Sequence, residues 1–380
     1  MTRLPLGPTT IVWLAALGVA VTVVTWLSIR RGRPIWALVA IGTGMELIYI
    51  GAFAGAYPLH TLFPELTNFG EVEGLSRPAF GAYLLAQALL FAGAAGSTWL
   101  AARSRPAATH RILFGGAALF GLSLLPLYPF TAIDVFYYVI LGRVWGLHGA
   151  NPFVVPASAF PEDGFLHLGA QWIDFPSLYG PVWIYFSLPA AWLAAQNFLA
   201  GVYFFKVFSL VAHLASGWLI CATVRRTATP SGEATALGAA AFWLWNPLVL
   251  HEGIGQGHND LVLTALLLLG LYFVGRRWPI GAAALAAATL LKVTVLPLLP
   301  LTLRALAWDR VELRPKQAAQ TDDDPRDRMG GPPARPYIVA GGLLAVVAAC
   351  WLVAYLPFWV GMETLAFLDR LDFFAQSVPA

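Results

Sequence analysis

One acidic residue stands where a membrane-spanning segment should end. The segment 112–133 carries no charged residue, and Asp134 follows it directly. A loop rich in aromatic residues, glycine and proline comes next, and it includes Asn151 and Tyr179. A carboxylate at the water edge of the bilayer costs little to place and can meet a lipid headgroup. The arrangement is what an enzyme with a lipid-linked substrate would need.

Other polar groups accompany Asp134. Tyr137 and Tyr138 share one face with Asp134 if the helix continues through them. The remaining groups are the loop residues Asn151, Glu162, Asp163, His167, Asp174 and Tyr179, the polar turn from His251 to Asp260, and the lysines Lys206 and Lys292. An ammonium group in an apolar segment, as at Lys292, is costly without an anionic partner. A lipid phosphate would be a natural partner.

The polar turn 251–260 invites a metal-site interpretation because His251 and His258 flank Glu252. The spacing is not the His-Glu-x-x-His pattern of a metal-binding helix, and glycines intervene. A hydrogen-bonding cluster for a hydroxyl-rich ligand, or a helix N-cap, fits Asn259 and Asp260 better. We expect no cofactor and no metal site; binding of a divalent ion is the alternative that the sequence leaves open. Asp134 by itself also fits a helix cap or a water-facing residue.

The composition is that of a membrane protein. The chain is 58% hydrophobic and 11% charged, whereas ordinary soluble domains are about a quarter charged. The net charge of +3 is spread in short basic clusters between apolar runs. That is the pattern of membrane topology and not of nucleic-acid binding. We interpret Cys221 and Cys350, both in apolar runs, as packing residues.

Uncharged runs predict an all-α fold, a polytopic transmembrane bundle of about 9–11 helices. The predicted helices are 9–29, 35–57, 79–101, 112–131, 203–224, 235–251, 259–275 and 337–357. The basic clusters after several of them indicate cytoplasmic ends, which places Asp134 on the outer side. The expected location is therefore the cell membrane, with the site facing away from the cytoplasm and an outer loop that bears interfacial helices.

Two segments leave the topology open. The segment 175–205 has no charge and is either a further crossing or an interfacial or re-entrant helix from Pro181 to Gln196. We favour the second interpretation because Pro181 and Pro189 suit a broken or tilted element. The segment 278–303 is interrupted by Lys292, and each half is too short to cross the bilayer. We expect a hairpin with Lys292 near its tip.

The chain divides into four predicted regions. Residues 1–111 form N-terminal transmembrane helices, and 112–306 form a catalytic membrane module with the outer loop 132–200. Residues 307–336 form a flexible cytoplasmic loop, since charged residues and proline dominate them. We interpret its acidic cluster Asp322–Asp324 as a solvated linker. Residues 337–380 form a last transmembrane helix and a tail.

A series of short motifs runs along the chain in this order: Asp134, Tyr138, Gly142-Arg143, Gly149, Asn151-Pro152-Phe153, Tyr179-Gly180-Pro181, Asn246-Pro247-Leu248, Gly257-His258-Asn259-Asp260, Lys292 and Pro297. The series resembles the C-type membrane glycosyltransferases, which have the GT-C fold. The likeness is strongest to the bacterial polyprenol-phosphate-mannose-dependent α-mannosyltransferases of lipoglycan synthesis. It covers roughly 125–305. No second acid stands beside Asp134, and the chain ends at Ala380, where family members usually continue.

The resemblance implies a mechanism. The donor would be a sugar, mannose by our expectation, on a polyprenyl phosphate, and the acceptor a glycolipid or glycan. Asp134 would act as the general base in an inverting displacement. Lys292, Lys206, His258 and Arg143 would bind the donor phosphate. Tyr137, Tyr138, Asn151, Tyr179, Asn259 and Asp260 would contact the sugar or the acceptor.

Alternatives remain at this stage. A transporter or flippase for a lipid-linked sugar would also need polar groups on the outer side, although such proteins more often show internal repeats. A transferase or polymer ligase for a different lipid-linked sugar would share the same motifs. Asp174 and Asp260 also remain possible as the base. The expected partners are the lipid-linked donor, the acceptor and membrane lipids, with no nucleic acid.

Overall fold

Helices make up most of the described chain. The computed structural model describes residues 6–63, 76–104, 106–227, 232–274, 278–301 and 336–370. Within these ranges no strand occurs, and a single isolated bridge pairs Pro58 with Leu127. The prediction of an all-α fold is confirmed. The predicted loop 307–336 and the end of the tail fall almost wholly outside the described residues.

Twelve α-helices have their bounds defined within the described residues. They are α1 (Pro8–Arg30), α2 (Pro34–Ile48), α3 (Leu59–Leu62), α4 (Arg77–Ala101), α5 (Pro106–Leu124), α6 (Asp134–Gly146), α7 (Pro181–Leu193), α8 (Phe198–Thr227), α9 (Gly232–Leu244), α10 (Asp260–Val274), α11 (Trp278–Leu291) and α12 (Pro336–Tyr355). Two π-helical turns are described: Tyr49–Ala54 follows α2 directly, and Val249–Gly255 follows α9 after a break at residues 245 and 246. Short 3-10 segments include Ala157–Ala159 and Leu166–Asp174.

Proline marks the start of many of these helices. Pro8, Pro34, Pro106, Pro181 and Pro336 each occupy a first helical position. The fixed φ of proline suits that position, and the missing N–H would have no partner inside the helix. These residues therefore set the helix starts.

Among the described residues, six helical segments are long and apolar enough to cross a membrane. They are Pro8–Arg30, Pro34–Ala54, Arg77–Ala101, Pro106–Leu124, Phe198–Arg226 and Gly341–Phe358. Three shorter apolar helices lie at Pro181–Leu193, Asp260–Phe273 and Pro279–Leu291. The six agree with predicted spans. The chain leaves α5 at Leu124 instead of continuing to 131, because Pro126 and Pro129 disfavour helical backbone in the residues before them.

The two open segments are helical in part. α7 begins at Pro181 and has 13 residues, which is about 20 Å of helix against a hydrocarbon core of about 30 Å. It is separate from α8. α11 ends at Leu291, and Lys292 is extended, with φ −144° and ψ 111°. The predicted interruption at Lys292 is confirmed.

The chain forms two compact units. The first contains 1–176 and 186–265, and the second contains 177–185 and 266–380. In the first, Trp245 is buried and donates its indole N–H to Leu113 O at 2.9 Å. Glu46 in α2 accepts a hydrogen bond from Ser123 Oγ in α5 at 2.5 Å. This bond gives the intramembrane carboxylate a helix–helix contact.

In the second unit, α11 and α12 form a small apolar core. Its buried members are Ala282, Leu285, Ala286, Leu299, Leu343 and Val347. Cys350 packs against this cluster, as expected of a packing residue. The Trp351 indole N–H donates to Thr289 Oγ1 at 3.0 Å. Burial of apolar side chains and this one polar contact hold the two helices together.

Candidate active site

Asp134 is the first residue of α6, and the helix behind it is enclosed by protein. All ten residues from Val135 to Val144 are buried. Gly142 allows this packing, because a side chain there would overlap the carbonyl group of Ser187. α6 therefore lies within the protein and not along its surface. Asp134 itself is only partly buried, so its carboxylate stands at the accessible end of a rigid helix.

The segment before Asp134 is bonded to the polar turn 251–260. The Thr131 hydroxyl donates to Glu252, with Oγ1 3.0 Å from Oε2 and 3.2 Å from Oε1. The Thr131 backbone N–H donates to Gln256 Oε1 at 3.2 Å. Gly257, at a φ of +75°, lies against Val135. The structure thus brings the start of α6 and the predicted polar turn together.

Lys206 links the segment before Asp134 to the polar turn by hydrogen bonds. Its ammonium group is fully buried and donates to Leu127 O at 2.5 Å and to Gly255 O at 2.6 Å. Leu127 precedes Asp134 in the chain, and Gly255 belongs to the polar turn. The predicted span 203–224 puts Lys206 near its start, but α8 begins at Phe198, eight residues before the lysine. The lysine therefore lies inside the helix and bonds to backbone carbonyls.

We expect Lys206→Met to destabilise the protein. Each buried carbonyl left without a donor costs about 1–3 kcal/mol, and this variant leaves two. The measurement is the unfolding midpoint of the purified protein in detergent, with Val207→Met as the matched control at an exposed position of the same helix. Unchanged stability with weakened donor binding would instead support the predicted phosphate contact.

His251 is the buried first residue of the polar turn. Its ring is buried, and Phe53 and Phe130 contact it edge-on at centroid distances of 4.9 and 5.5 Å. His251 Nδ1 lies 3.3 Å from Glu252 Oε1. Burial by itself raises the pKa of the Glu252 carboxyl, but the contacts with His251 and Thr131 outweigh burial and hold the pKa below its usual value. Glu252 is therefore an ionised acceptor.

A cavity of about 330 Å³ opens beside the turn. Its polar lining consists of Glu252, His258, Asp260 and Thr264, and Trp243 forms part of its wall. His258 Nδ1 lies 3.9 Å from Asp260 Oδ2. Asn259, between these two residues, is completely buried, and its amide group has no hydrogen-bond partner within the described ranges.

The loop after α6 is held by a buried ion pair. Arg143 Nε and Nη2 donate to Asp163 at 2.8 and 2.9 Å, and Arg143 Nη1 donates to Ala194 O at 3.1 Å. His148 Nε2 lies 3.0 Å from the same carboxylate. The Arg143 guanidinium thus bonds to protein acceptors. Its predicted role as a phosphate ligand stays a prediction.

The other predicted contact residues of this unit have local roles in the structure. Tyr137 and Tyr138 are buried, and the Tyr137 hydroxyl donates to Phe175 O at 3.1 Å. Asn151 Oδ1 accepts the Phe153 N–H at 3.1 Å, a turn-forming contact typical of asparagine. Their sugar contacts stay predictions. Burial of both tyrosines was not evident from the sequence, where aromatic residues after a span suggest surface anchors.

In the second unit, the Tyr-Gly-Pro motif meets the end of α11. The Gly180 N–H donates to Leu291 O at 3.0 Å. A side chain at position 180 would overlap the carbonyl oxygen of Leu290, so glycine is required for this approach. Ser177 Oγ donates to Tyr179 O at 3.0 Å and shapes the turn. The structure therefore brings Tyr179 close in space to the residues that precede Lys292.

Sequence reasoning missed several contributors to the first unit's site. Thr131 and Trp243 carry no signal of their own, whereas Glu252 and Gln256 belong to the recognised turn but were not assigned roles. The one available signal was a charged residue in a glycine-rich segment between apolar runs. Within the described part of the chain, no three His, Cys, Asp or Glu side chains are grouped so that they could hold a metal ion.

The fold and the site together define an all-α membrane protein. Its polar site is formed by the start of α6 and the turn 251–260. Residues 39–308 match the profile of the family described as Alpha-(1->6)-mannopyranosyltransferase, N-terminal domain. The chain belongs to this family, which confirms the resemblance seen in the motifs. No solved structure shows a significant match to it.

Three curated relatives carry corresponding names. The chain is 29% identical to a probable alpha-(1->6)-mannopyranosyltransferase of Mycolicibacterium smegmatis, over 74% of this chain and 46% of the relative. It is 26% identical to a Mycobacterium tuberculosis alpha-(1->6)-mannopyranosyltransferase, over 69% of this chain and 43% of the relative. It is 25% identical to alpha-(1->6)-mannopyranosyltransferase A of Corynebacterium glutamicum, over 45% of this chain and 34% of the relative. The chain thus spans less than half the length of these relatives.

Proposed function

We propose that this chain transfers mannose from a polyprenyl-phosphate-linked donor to a glycolipid or glycan acceptor, as a membrane glycosyltransferase of the GT-C type. The observation that carries the proposal is the bonding of Thr131 to Glu252 and Gln256. It joins the start of α6, and hence Asp134, to the polar turn that ends in His258-Asn259-Asp260. Family membership and the printed names of the relatives support mannosyl transfer.

Asp134 is the proposed general base. Its carboxylate takes the proton from an acceptor hydroxyl while that oxygen attacks the anomeric carbon of the donor. The bond between the anomeric carbon and the phosphate oxygen breaks, and its electron pair leaves with the polyprenyl phosphate. The transition state resembles an oxocarbenium ion, as in other glycosyl transfers. One displacement inverts the anomeric configuration, so a β-linked donor gives an α-linked product.

The developing charge on the leaving phosphate needs a cation. We propose Lys292 as this cation, because an ammonium group in an apolar setting requires an anion. Lys206 is a weaker candidate because its ammonium group already bonds to two carbonyls. We assign Lys206 to positioning the segments on either side of the site.

We place the site on the extracytoplasmic side of the membrane. The basic residues lie at the opposite helix ends from the polar turn: Arg103 just before α5, and Arg225 and Arg226 at the end of α8. α5 runs from that basic end toward Asp134, and α8 carries Lys206 near its other end. Clustered arginine favours the cytoplasm, which supports an outward-facing site.

The test is transfer in reconstituted membranes. The purified chain in liposomes receives labelled polyprenyl-phosphate mannose and a glycolipid acceptor. We expect a product with an added mannose that α-mannosidase removes, and none from labelled nucleotide-linked mannose. Product from the nucleotide-linked donor alone would overturn the lipid-linked donor. Product from a different lipid-linked sugar alone would overturn mannose, and inactivity with every donor would overturn the enzymatic assignment.

A further inference from the structure

We propose that the cavity lined by Trp243, Glu252, His258 and Asp260 binds the sugar headgroup of the acceptor lipid. This inference rests on the proposed function and assigns one of its two substrates. We call this space the acidic cavity. Its volume of about 330 Å³ lies at the small end of the range of ligand pockets.

The charge of the acidic cavity selects against a phosphate. Two carboxylates, Glu252 and Asp260, face one imidazole, His258. Ionised carboxylates are acceptors only, so they repel an anionic phosphate and bind groups that donate. Sugar hydroxyls are such donors. The acidic cavity therefore suits the neutral acceptor, and within this proposal His258 belongs to the acceptor side and not to the donor phosphate.

The carboxylate of Glu252 is held in place before any ligand arrives. Thr131 bonds to both of its oxygens, and His251 lies next to Oε1. Thr131 in turn belongs to the segment that leads into α6. A sugar bound to Glu252 is thus positioned by the same segment that positions Asp134. Preorganised acceptors of this kind lower the cost of ordering on binding.

The wall of the acidic cavity is aromatic and fixed in orientation. The Trp243 indole N–H donates to His213 O at 3.1 Å, and the two rings stack with centroids 5.8 Å apart. An apolar or aromatic wall with a few placed polar groups is the usual composition of a small-molecule site. Trp243 supplies that wall for the carbon face of a sugar ring.

The surroundings indicate that the sugar is attached to a lipid. Leu248 lines the acidic cavity and is 59% exposed, and Phe242 nearby is 65% exposed. Exposed apolar side chains beside a polar pocket are typical of a surface that contacts lipid or another apolar group. A ligand with a hydroxyl-rich head and an apolar tail would fit both the acidic cavity and the exposed apolar side chains beside it.

The test is photolabelling with an alkyl α-mannoside that carries a diazirine next to the anomeric oxygen. We expect labelled peptides within 243–264, competition by octyl mannoside, and no competition by octyl phosphate. Glu252→Gln and Asp260→Asn should each weaken labelling about 10- to 100-fold, the range for hydrogen bonds to charged groups. Glu233→Gln, at the far end of α9, should label as the parent does. Labelling elsewhere, or competition by octyl phosphate, would overturn the inference.

Kinetics separate this inference from the proposed function. Where transfer is measurable, Asp260→Asn should raise the KM for the acceptor and leave the KM for the donor unchanged. A raised donor KM would overturn the assignment of the acidic cavity to the acceptor. Specific labelling of 243–264 in a chain that transfers no mannose would keep the cavity assignment as a sugar site and reject the proposed reaction.

Discussion

Asp134→Asn should reduce mannosyl transfer by about 10²–10⁴-fold, the usual contribution of a general base. The amide has nearly the same shape but cannot take a proton from the acceptor hydroxyl. Asparagine is also well tolerated at helix starts, so α6 should keep its buried packing. The measurement is initial transfer rate from labelled polyprenyl-phosphate mannose, with protein amount and monodispersity checked in detergent.

Two further variants make this result specific. Glu233→Gln removes a carboxylate near the start of α9, from the exposed ion pair with Arg225. This variant should transfer mannose at the parent rate. Asp174→Asn tests one of the two other carboxylates considered as a base, an exposed one that ends the 3-10 segment Leu166–Asp174. Full activity in Asp134→Asn, with loss in Asp174→Asn, would reject Asp134 as the base and assign the role to Asp174.

Asp163→Asn should lower the free energy of unfolding by about 3–5 kcal/mol, the cost of breaking a buried ion pair on one side. The side chains of Arg143 and Asp163 are only 9% and 7% exposed. The variant leaves the Arg143 guanidinium buried beside a neutral amide. Chemical or thermal unfolding of the purified protein in detergent measures the loss.

The exposed pair of Arg225 and Glu233 supplies the matched control. Its side chains are 38% and 43% exposed, and such pairs contribute about 0–1 kcal/mol. Glu233→Gln should therefore leave the unfolding midpoint nearly unchanged. Equal effects of Glu233→Gln and Asp163→Asn would contradict the importance of burial for the Arg143 pair.

The Asp163 pair also predicts a pH dependence. Burial raises the pKa of the Asp163 carboxyl, but hydrogen bonds from Arg143, His148 and the Phe165 N–H outweigh it, and the folded pKa lies below the usual value of 3.8. The stabilisation is thus fully present above the unfolded pKa and is lost as the pH falls through the folded pKa. The parent should lose stability below about pH 4, and Asp163→Asn should lose less over the same range.

Much of the architecture could be predicted from local features. Uncharged runs predicted the helices. Asp134 was expected just beyond the end of a span, and the structure places it at the start of α6. The break at Lys292 followed from the length of apolar segment that a crossing needs. The order of short motifs predicted the family. Each of these depends on composition and on neighbours along the chain.

The contacts of the charged residues could not be predicted in that way. Arg143 and Lys206 were both predicted to bind a donor phosphate, yet the structure bonds Arg143 to Asp163 and Lys206 to two backbone carbonyls. A basic residue in an apolar sequence signals that an anion or acceptor is needed. It does not say which acceptor the folded chain provides.

The sequence by itself determined that this is an all-α membrane protein of the mannosyltransferase family, with Asp134 at the end of an apolar run and a polar turn at 251–260. Only the tertiary structure decided that these two features meet. The bonds from Thr131 to Glu252 and Gln256 join residues 121 and 125 positions apart, and Lys206 reaches carbonyls 79 and 49 positions away. Periodicity and composition report which faces are apolar, whereas such long-range hydrogen bonds depend on which helix ends the packing brings together.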